Sequence, residues 1–443
     1  MVNRWKVPVW IQGAALFLFA LAIRIVWIYN VPTVPISDFE LLYNASTDWV
    51  RGDFSFVKTP YFDMWSYQLG YVWFQSLLMR LFGTGYEAIK IFNCIFSSLT
   101  VLTGYLTAKK LFGPNCALMT GILIASDITL VTMTSVLTNQ HIALLLFYIG
   151  LYIIACTKNK IGYRIAAGAV IAFGNIMRPL GIVVLAAIVL YDLFFAERQE
   201  IGHKMLFHNG FWFRTKKFAR TKLVLVVCFL AAYVVVGFAV NRGFIASGVT
   251  DKPLGNKDPL WKFVSGLNYE TKGQYSQKDI ETVSRTGTFE ERQNLEKEII
   301  KQRLQETHKL PGLFKDKFYI MWVNKNYTVN WSVHPTEEGK DTFFGGQSKE
   351  RLHKITLYAD KAVYTVGLVF ALAGALLLLI TGNENEKGAT LYMIFILLYI
   401  GAHLFIEIQP RYRMCVLPGI YVIASKGLHA LGSFSKIDQT WRW

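Results

Sequence analysis

Long apolar runs are the feature that most limits what this chain can fold into. Several stretches of the 443-residue chain are about twenty residues long and nearly free of charge, which is the length an α-helix needs to cross the hydrocarbon core of a bilayer. The composition agrees, since 53% of the residues are hydrophobic and only 17% are charged. Soluble domains rarely combine these two values. The sequence therefore predicts an all-α protein that crosses a membrane many times.

We expect about ten membrane-spanning helices. The apolar runs are separated mostly by short polar connections. The aromatic segment 65–83 also contains Gln68, Gln75 and Arg80, and this mixture predicts an amphipathic helix at the membrane interface rather than a span. The predicted spans are residues 8–29, 86–108, 114–132, 139–156, 163–177, 180–196, 223–242, 361–381, 388–406 and 413–429.

The basic residues indicate which side of the membrane each connection faces. If the N-terminus lies in the cytoplasm, then Lys109-Lys110, the connection 157–164 and the loop 198–222 all lie inside, as the positive-inside rule requires. The net charge of +16 is then concentrated in short connections, so we expect contact with anionic lipids and no nucleic-acid partner. These features predict a multi-pass protein of the cytoplasmic membrane.

The run boundaries divide the chain into three regions. Residues 1–242 form an N-terminal transmembrane core, within which 30–85 is a first outer loop. Residues 243–360 are too polar to span, and we expect an extracytoplasmic insertion of mixed structure. Residues 361–443 form a C-terminal transmembrane part.

Polar and ionisable residues collect at the span ends that this topology places outside the cytoplasm. Such residues are costly at membrane depth, so their convergence on one side marks a functional site. The acidic residue Asp38 follows the first span directly. The other candidates are Glu40, Tyr43, Asn139, Gln140, Arg178, Glu407, Gln409, Arg411 and Tyr412.

A carboxylate beside arginines at a lipid surface suits group transfer from a phosphate-linked donor. The carboxylate deprotonates or orients the acceptor, while arginine holds the leaving phosphate through charge-assisted hydrogen bonds. Asp38 is the candidate base, and Arg178 and Arg411 are the candidate phosphate ligands.

Structural roles are the alternative for each of these residues. Asp38 could cap the helix that follows it, and Arg178 could be an interfacial arginine whose charge reaches toward water. Glu407 and Arg411, four residues apart, could form a structural ion pair. Glu40 points about 200° away from Asp38 if both lie on one helix, so the two acidic residues need not share a site.

Three segments resemble the GT-C membrane glycosyltransferases related to the protein O-mannosyltransferases and the aminoarabinose transferase. The segment 37–52 resembles their first-loop signature, in which an acidic residue is followed by Tyr, Ala and Gly. The segment 174–179 resembles their Arg-Pro turn, and 407–418 resembles the segment before their last span.

The resemblance implies a GT-C-like fold and a glycosyltransferase that takes its sugar from a polyprenyl-phosphate-linked donor. It implies transfer outside the cytoplasmic membrane to a polysaccharide, teichoic acid or glycolipid, with Asp38 as the catalytic acidic residue and with Arg411 and Tyr412 lining the donor site. The insertion 243–360 is where acceptor specificity is expected. Relatives carry a second acidic residue after the third span where this chain has Asn139-Gln140. The resemblance therefore assigns no cofactor and leaves dependence on a divalent metal open.

Two other classes of membrane protein remain as alternatives. A transporter or flippase for lipid-linked glycans would place polar residues at the membrane midplane, whereas these spans are mostly apolar through their centres, Asp127 being the main exception. A polysaccharide polymerase or ligase would depend on arginines of the large outer loop rather than on an acidic first loop.

Overall fold

The structure is a computed structural model that describes residues 8–195, 211–324, 326–382 and 386–440, with the side chains of 211–221 and 433–440 left out. Residues 198–210 of the basic loop used to orient the chain therefore lie outside the described residues. Its helices, numbered α1 to α19 in chain order, are Val9–Asn30, Asp38–Arg51, Pro60–Met64, Leu69–Phe82, Tyr86–Phe112, Pro114–Ser126, Ile128–Thr132, Gln140–Cys156, Ile161–Met177, Gly181–Phe194, Phe211–Ala246, Trp261–Gly266, Gln277–Ser284, Phe289–Gln305, Leu310–Phe318, Asn330–Val333, Lys349–Thr381, Gly388–Phe405 and Leu417–Thr440.

The prediction of a helical membrane protein with several spans is confirmed. Each predicted span coincides with a helix or, for the third, with the pair α6 and α7. By length and composition, five of the described helices are able to cross a membrane, or six if the bent pair is one span. Helices α8, α9 and α10 are apolar but shorter, so the count of ten spans stays a prediction.

The third span is broken at Asp127. Its carboxylate accepts a hydrogen bond of 2.8 Å from the backbone N–H of Leu130 and so caps α7. The two helical pieces meet at an angle of 54°. A polar residue within an apolar run has here become a helix cap, because the first N–H groups of a helix have no partner inside it.

Glycine allows the helices of the core to approach closely. A Cβ atom at Gly374 of α17 would lie 2.2 Å from the carbonyl oxygen of Ile423 on α19, and one at Gly168 of α9 would lie 2.2 Å from that of Phe229 on α11. Both distances are shorter than any real contact. Such small residues are favoured where helices pack in a bilayer, since close van der Waals contact drives their association.

Buried charges are more numerous than the sequence predicts, and they are paired with an opposite charge or hydrogen-bonded. Arg413 contacts Asp360 at 2.6 Å, and Arg164 contacts Asp192 at 2.6 Å. Arg24 on α1 donates to Ser97 and to backbone carbonyls. Because each of these charges has partners inside the protein, we interpret them as structural rather than as a transport path.

The first outer loop contains α2, α3 and α4. The predicted interfacial helix forms α4, which packs on α2 through a hydrogen bond of 2.9 Å between Ser46 Oγ and Gln75 Oε1. A Cβ at Gly70 of α4 would lie 2.4 Å from the carbonyl oxygen of Ile176 on α9. The loop is therefore held close to the end of α9, where Arg178 follows.

The insertion is mixed in structure, as the sequence predicts. It contains the short helices α12 to α16 and an antiparallel hairpin of Thr342–Phe343 and Gln347–Ser348. The predicted region boundaries at 242 and 360 fall inside α11 and α17. Helical hydrogen bonding continues past the end of an apolar run wherever polar residues are good helix formers, so hydropathy alone does not mark these helix ends.

Candidate active site

Asp38 is the first residue of α2, immediately after the first span. The cap position itself is Ser37, whose side chain makes no capping hydrogen bond. Asp38 is partly exposed, and the Tyr61 hydroxyl lies beside it. Burial, and next the charge of Asp38, raise the pKa of Tyr61. A carboxylate in the first turn is favoured by the helix dipole, and here it remains accessible to a ligand.

Arg178 follows the last residue of α9, and Asn139 positions it. The Asn139 side chain donates to the Met177 carbonyl at 2.8 Å and accepts from Arg178 Nη1 at 2.9 Å. The guanidinium lies 5.6 Å from the centre of the Tyr412 ring. Asn139 therefore orients Arg178. An amide can do this because it has both a donor and an acceptor group.

Arg411 lies on a 3₁₀ turn, Pro410–Cys415. Its guanidinium packs 4.7 Å from the ring centre of Trp331 and 5.2 Å from that of Phe39. The Gln140 side chain donates to the Arg411 carbonyl at 3.4 Å. Stacked rings fix the plane of a guanidinium and leave its N–H groups available at the edge.

The two arginines have no carboxylate partner within ion-pair distance among the residues that the structure describes. Arg411 Nε is also buried and has no hydrogen-bond partner there. Burial lowers the pKa of Arg411, and the like charge of Arg178 adds to this effect, while Tyr412 opposes it. Two neighbouring cations of this kind attract an anion, because a bound phosphate would relieve their repulsion.

Glu407 belongs to the same group but pairs with the insertion. Its Oε2 atom accepts from Lys262 Nζ at 2.8 Å, and its Oε1 atom accepts from Gln409 at 2.9 Å and from the Tyr412 hydroxyl at 3.4 Å. Burial alone would raise the pKa of Glu407, but the charge and hydrogen bond of Lys262 hold it below its usual value. The alternative of an ion pair with Arg411 is wrong, because Glu407 pairs with Lys262 and no contact between Glu407 and Arg411 within ion-pair distance is found among the described residues.

Replacing Lys262 with Met is expected to lower the free energy of unfolding by about 1–3 kcal/mol, since a nearly buried carboxylate loses its counter-ion. The Glu407 side chain is 3% exposed. Thermal unfolding of the purified protein measures the loss, and the double variant K262M/E407Q should recover most of it. Lys257→Met, which breaks a more exposed pair with Asp63, is the control and should change little. Equal losses in both single variants would contradict the prediction.

Two candidates from the sequence are not brought into this group. Glu40 is exposed on α2. The Tyr43 hydroxyl donates to the Thr84 carbonyl at 2.6 Å, and its ring contacts Tyr86. The 3.6-residue period of α2 turns both side chains away from the direction of Asp38.

The sequence reasoning missed four residues of the group: Tyr61, Tyr67, Lys262 and Trp331. Tyr67 is close enough to the group that Lys262, Arg178, Tyr412 and Asp38 all act on its pKa, which burial raises. Lys262 stood in a conspicuous Trp261-Lys262-Phe263 segment of the insertion. The sequence therefore showed a cation between aromatic residues, but nothing in it indicated that Lys262 pairs with Glu407, 145 residues away.

A narrow cavity, with room for about one water molecule, lies beside Arg178. Its polar end is formed by Arg178, Gln140 and Tyr412, and the rest of its wall is mostly apolar. The apolar lining residues are Ala143, Leu144, Phe147, Leu180, Met414 and Cys415, with Tyr399 completing the wall. The polarity of this lining, with a cation at one end and apolar side chains along the rest, matches a ligand that has an anionic head and an apolar tail, although the cavity would have to widen to admit it.

No group of three or more His, Cys, Asp or Glu side chains in the described ranges could hold a metal ion. The arrangement instead provides a partly exposed carboxylate, two unpaired guanidiniums and an apolar cavity. Asp38, Arg178, Glu407 and Tyr412 come from three separate segments of the chain, and all four lie close enough to Arg411 to act on its pKa.

Similar solved structures come from two membrane enzymes. The archaeal oligosaccharyltransferase AglB from Archaeoglobus fulgidus, solved with an inhibitory peptide and a dolichol-phosphate, has 12% identity and a TM-score of 0.46, with 98% of this chain and 52% of that chain covered. This chain therefore spans about half the length of AglB. ArnT from Cupriavidus metallidurans, bound to undecaprenyl phosphate, has 13% identity and a TM-score of 0.37, with 96% of this chain and 79% of that chain covered.

No curated protein sequence matches this chain. The model of the dolichyl-phosphate-mannose-protein mannosyltransferase family matches residues 68–230, which include Asn139 and Arg178 but neither Asp38 nor Arg411. Over residues 68–230 the chain thus carries the sequence pattern of this glycosyltransferase family, and the predicted resemblance is confirmed there. Of the three segments that predicted it, 174–179 lies within the match, and 37–52 and 407–418 lie outside it.

Proposed function

We propose that this protein transfers a sugar from a polyprenyl-phosphate-linked donor to a hydroxyl group of a cell-surface acceptor, on the extracytoplasmic side of the cytoplasmic membrane. The observation that carries the proposal is the pair Arg178 and Arg411. Both cations lie against the Tyr412 ring, and the cavity that Arg178 borders is apolar along most of its wall. Asp38 acts on the same group electrostatically.

Charge balance supports a phosphate donor. The Lys262 and Glu407 charges neutralise each other, which leaves the Arg178 and Arg411 charges for a ligand. When the sugar departs, the leaving phosphate gains negative charge, and guanidinium groups bind phosphate through paired N–H donors. The apolar wall of the cavity suits the first isoprene units of the lipid.

The acceptor side of the reaction is assigned to Asp38. The acceptor oxygen attacks the anomeric carbon, its proton passes to the Asp38 carboxylate, and the bond from the anomeric carbon to the phosphate oxygen breaks with its electron pair on the phosphate. Tyr61 lies beside Asp38 and helps to orient it. The reaction needs no oxidant or reductant.

The match of residues 68–230 to a family named for dolichyl-phosphate-mannose supports the donor class. For the acceptor we propose a polysaccharide, teichoic acid or glycolipid. We assign selection of the acceptor to the insertion, because Lys262 and Trp331, which both belong to it, contact Glu407 and Arg411.

Direct binding of polyprenyl phosphate tests the donor site. Arg178→Gln is expected to weaken binding by about 10–100-fold, because it removes a charge-assisted hydrogen bond to the phosphate. Binding to the purified full chain is measured with polyprenyl phosphate and with a polyprenol of the same length. Arg80→Gln, at an exposed arginine of α4, is the control and should bind like the wild type. Unchanged affinity in Arg178→Gln, or equal affinity of the wild type for both lipids, would refute the donor assignment.

A further inference from the structure

Lys317 lies in α15 of the insertion, yet its ammonium group joins three separate segments. Lys317 Nζ donates to the carbonyl oxygens of Gly266 at 2.7 Å, Leu404 at 2.8 Å and Ile406 at 2.8 Å. These three bonds use all three of its N–H donors. The side chain is only 1% exposed, so the ammonium group is buried and its hydrogen bonds are all made within the protein.

Two of the acceptors lie at the end of α18, which finishes at Phe405. The last carbonyl groups of a helix have no partner inside it, and the helix dipole favours a positive charge there. No carboxylate lies within ion-pair distance of Lys317 in the described part of the chain. Burial lowers the pKa of Lys317 to about 7, and the charge of Glu407 opposes this lowering. The three carbonyl groups are the direct partners of the ammonium group, so the geometry of all three is important.

The chain that follows this helix end leads directly into the candidate active site. The backbone N–H of Glu407 donates to the Lys262 carbonyl at 2.7 Å, and that of Ile408 donates to the Gly273 carbonyl at 2.9 Å. Segment 406–408 is thus hydrogen-bonded at two points to segment 261–273. Lys317 joins the same two segments, because it donates to the carbonyls of Gly266 and Ile406.

Segment 261–273 requires glycine where it contacts the end of α18 and Lys317. A Cβ atom at Gly266 would lie 2.2 Å from the Phe405 carbonyl oxygen, and one at Gly273 would lie 2.7 Å from the Lys317 side chain. Gly273 also has φ +76°, a conformation that L-residues rarely adopt. Segment 261–273 therefore packs so closely against the end of α18 and Lys317 that the insertion has little room to shift.

We infer that Lys317 is a positioning residue for the donor site, which holds the segment Glu407–Tyr412 in register with the insertion. The inference rests on the proposed function for its catalytic meaning. It assigns to the insertion a part in building the donor site, in addition to selecting the acceptor. Lys317 acts through the Leu404 and Ile406 carbonyls and touches no reacting group.

The test is the replacement Lys317→Met in the purified full chain. Methionine is unbranched and only one atom shorter than lysine, but it removes the charge and the three donors. Hydrogen–deuterium exchange of peptides that cover 404–412 should become faster, and the affinity for polyprenyl phosphate should fall about tenfold, as expected when a group of charge-assisted hydrogen bonds is lost. Lys315→Met, at an exposed lysine of the same helix, should leave both quantities unchanged.

Lys317→Arg is a second variant that keeps the positive charge at the helix end. A planar guanidinium does not direct three donors around one point as an ammonium does, so exchange at 404–412 should again be faster. Wild-type protection of these peptides in both variants would overturn the inference. General loss of protection across α17 and α18 would also overturn it, because Lys317 would then maintain the fold as a whole. If the wild-type protein binds no polyprenyl phosphate, the proposed function fails, while the exchange result still decides the role of Lys317.

Discussion

Replacing Asp38 with Asn is expected to reduce sugar transfer by about 10²–10⁴-fold, the usual contribution of a general base. Asparagine has nearly the same shape as aspartate but accepts no proton at neutral pH. The arginines that hold the donor are untouched, so the affinity for polyprenyl phosphate should stay close to that of the wild type. The measurement is transfer of radiolabelled sugar from a polyprenyl-phosphate-linked donor in membranes that contain the variant.

Glu40→Gln is the matched control, because Glu40 lies two residues further along α2 and is exposed. Its transfer rate should equal that of the wild type. Full activity in Asp38→Asn would remove Asp38 from the mechanism. Loss of lipid translocation with retained transfer would favour a flippase instead.

The second large effect is a dependence of stability on pH that arises from Glu296. This residue of α14 is 0% exposed, and Asp258 beside it is 1% exposed. Arg292 contacts one oxygen of each carboxyl group, and the other two oxygens, Asp258 Oδ1 and Glu296 Oε2, have no hydrogen-bond partner in the described ranges. A proton shared between these two oxygens satisfies both. Burial, and next the hydrogen bond to Asp258 and its charge, raise the pKa of Glu296 to about 8.

The direction of the effect follows from proton linkage. Between the ordinary pKa of 4.5 and the folded value of about 8, the folded chain retains a proton that the unfolded chain has lost. The free energy of unfolding therefore falls as pH rises through this window, by about 1.4 kcal/mol per pH unit at most, and levels off above it. The total is on the order of a few kcal/mol.

Glu296→Gln is expected to remove this slope, because the amide donates to Asp258 at every pH. The variant should be more stable than the wild type at pH 8 and similar to it near pH 4.5. Thermal unfolding, followed across this range by tryptophan fluorescence, provides the comparison. Glu298→Gln, at an exposed position of the same helix, should keep the wild-type slope. A wild-type slope in Glu296→Gln would assign the pH dependence to other groups.

The helices that hold the site were predictable, because each apolar run has one low-energy form in a bilayer. Backbone groups without water must be satisfied within the segment itself, so the run becomes a helix. The convergence of Asp38, Arg178 and Arg411 was predictable from topology, since charge bias places their connections on one side of the membrane. Most helix ends follow from hydropathy to within a few residues, but α11, α17 and α19 extend well beyond the predicted runs.

The partners of the charged residues were not predictable in the same way. Arg411 and Arg413 are two residues apart, yet Arg411 packs on aromatic rings while Arg413 is buried against Asp360. Their difference depends on the twist of a short 3₁₀ turn. Likewise Asn139, which the sequence presents as a possible ligand, is used to orient Arg178.

The sequence by itself determined that the chain is a helical membrane protein with an acidic residue directly after its first apolar run and with arginines at the ends of later runs. Hydropathy and charge act locally along the chain, and therefore they can be read in order. Only the tertiary structure decided that Lys262 neutralises Glu407, that Lys317 ties the insertion to α18, and that Arg178 and Arg411 stay unpaired in the described part of the chain. These are contacts between distant segments, and their energies depend on distances of a few ångströms that a linear pattern does not contain.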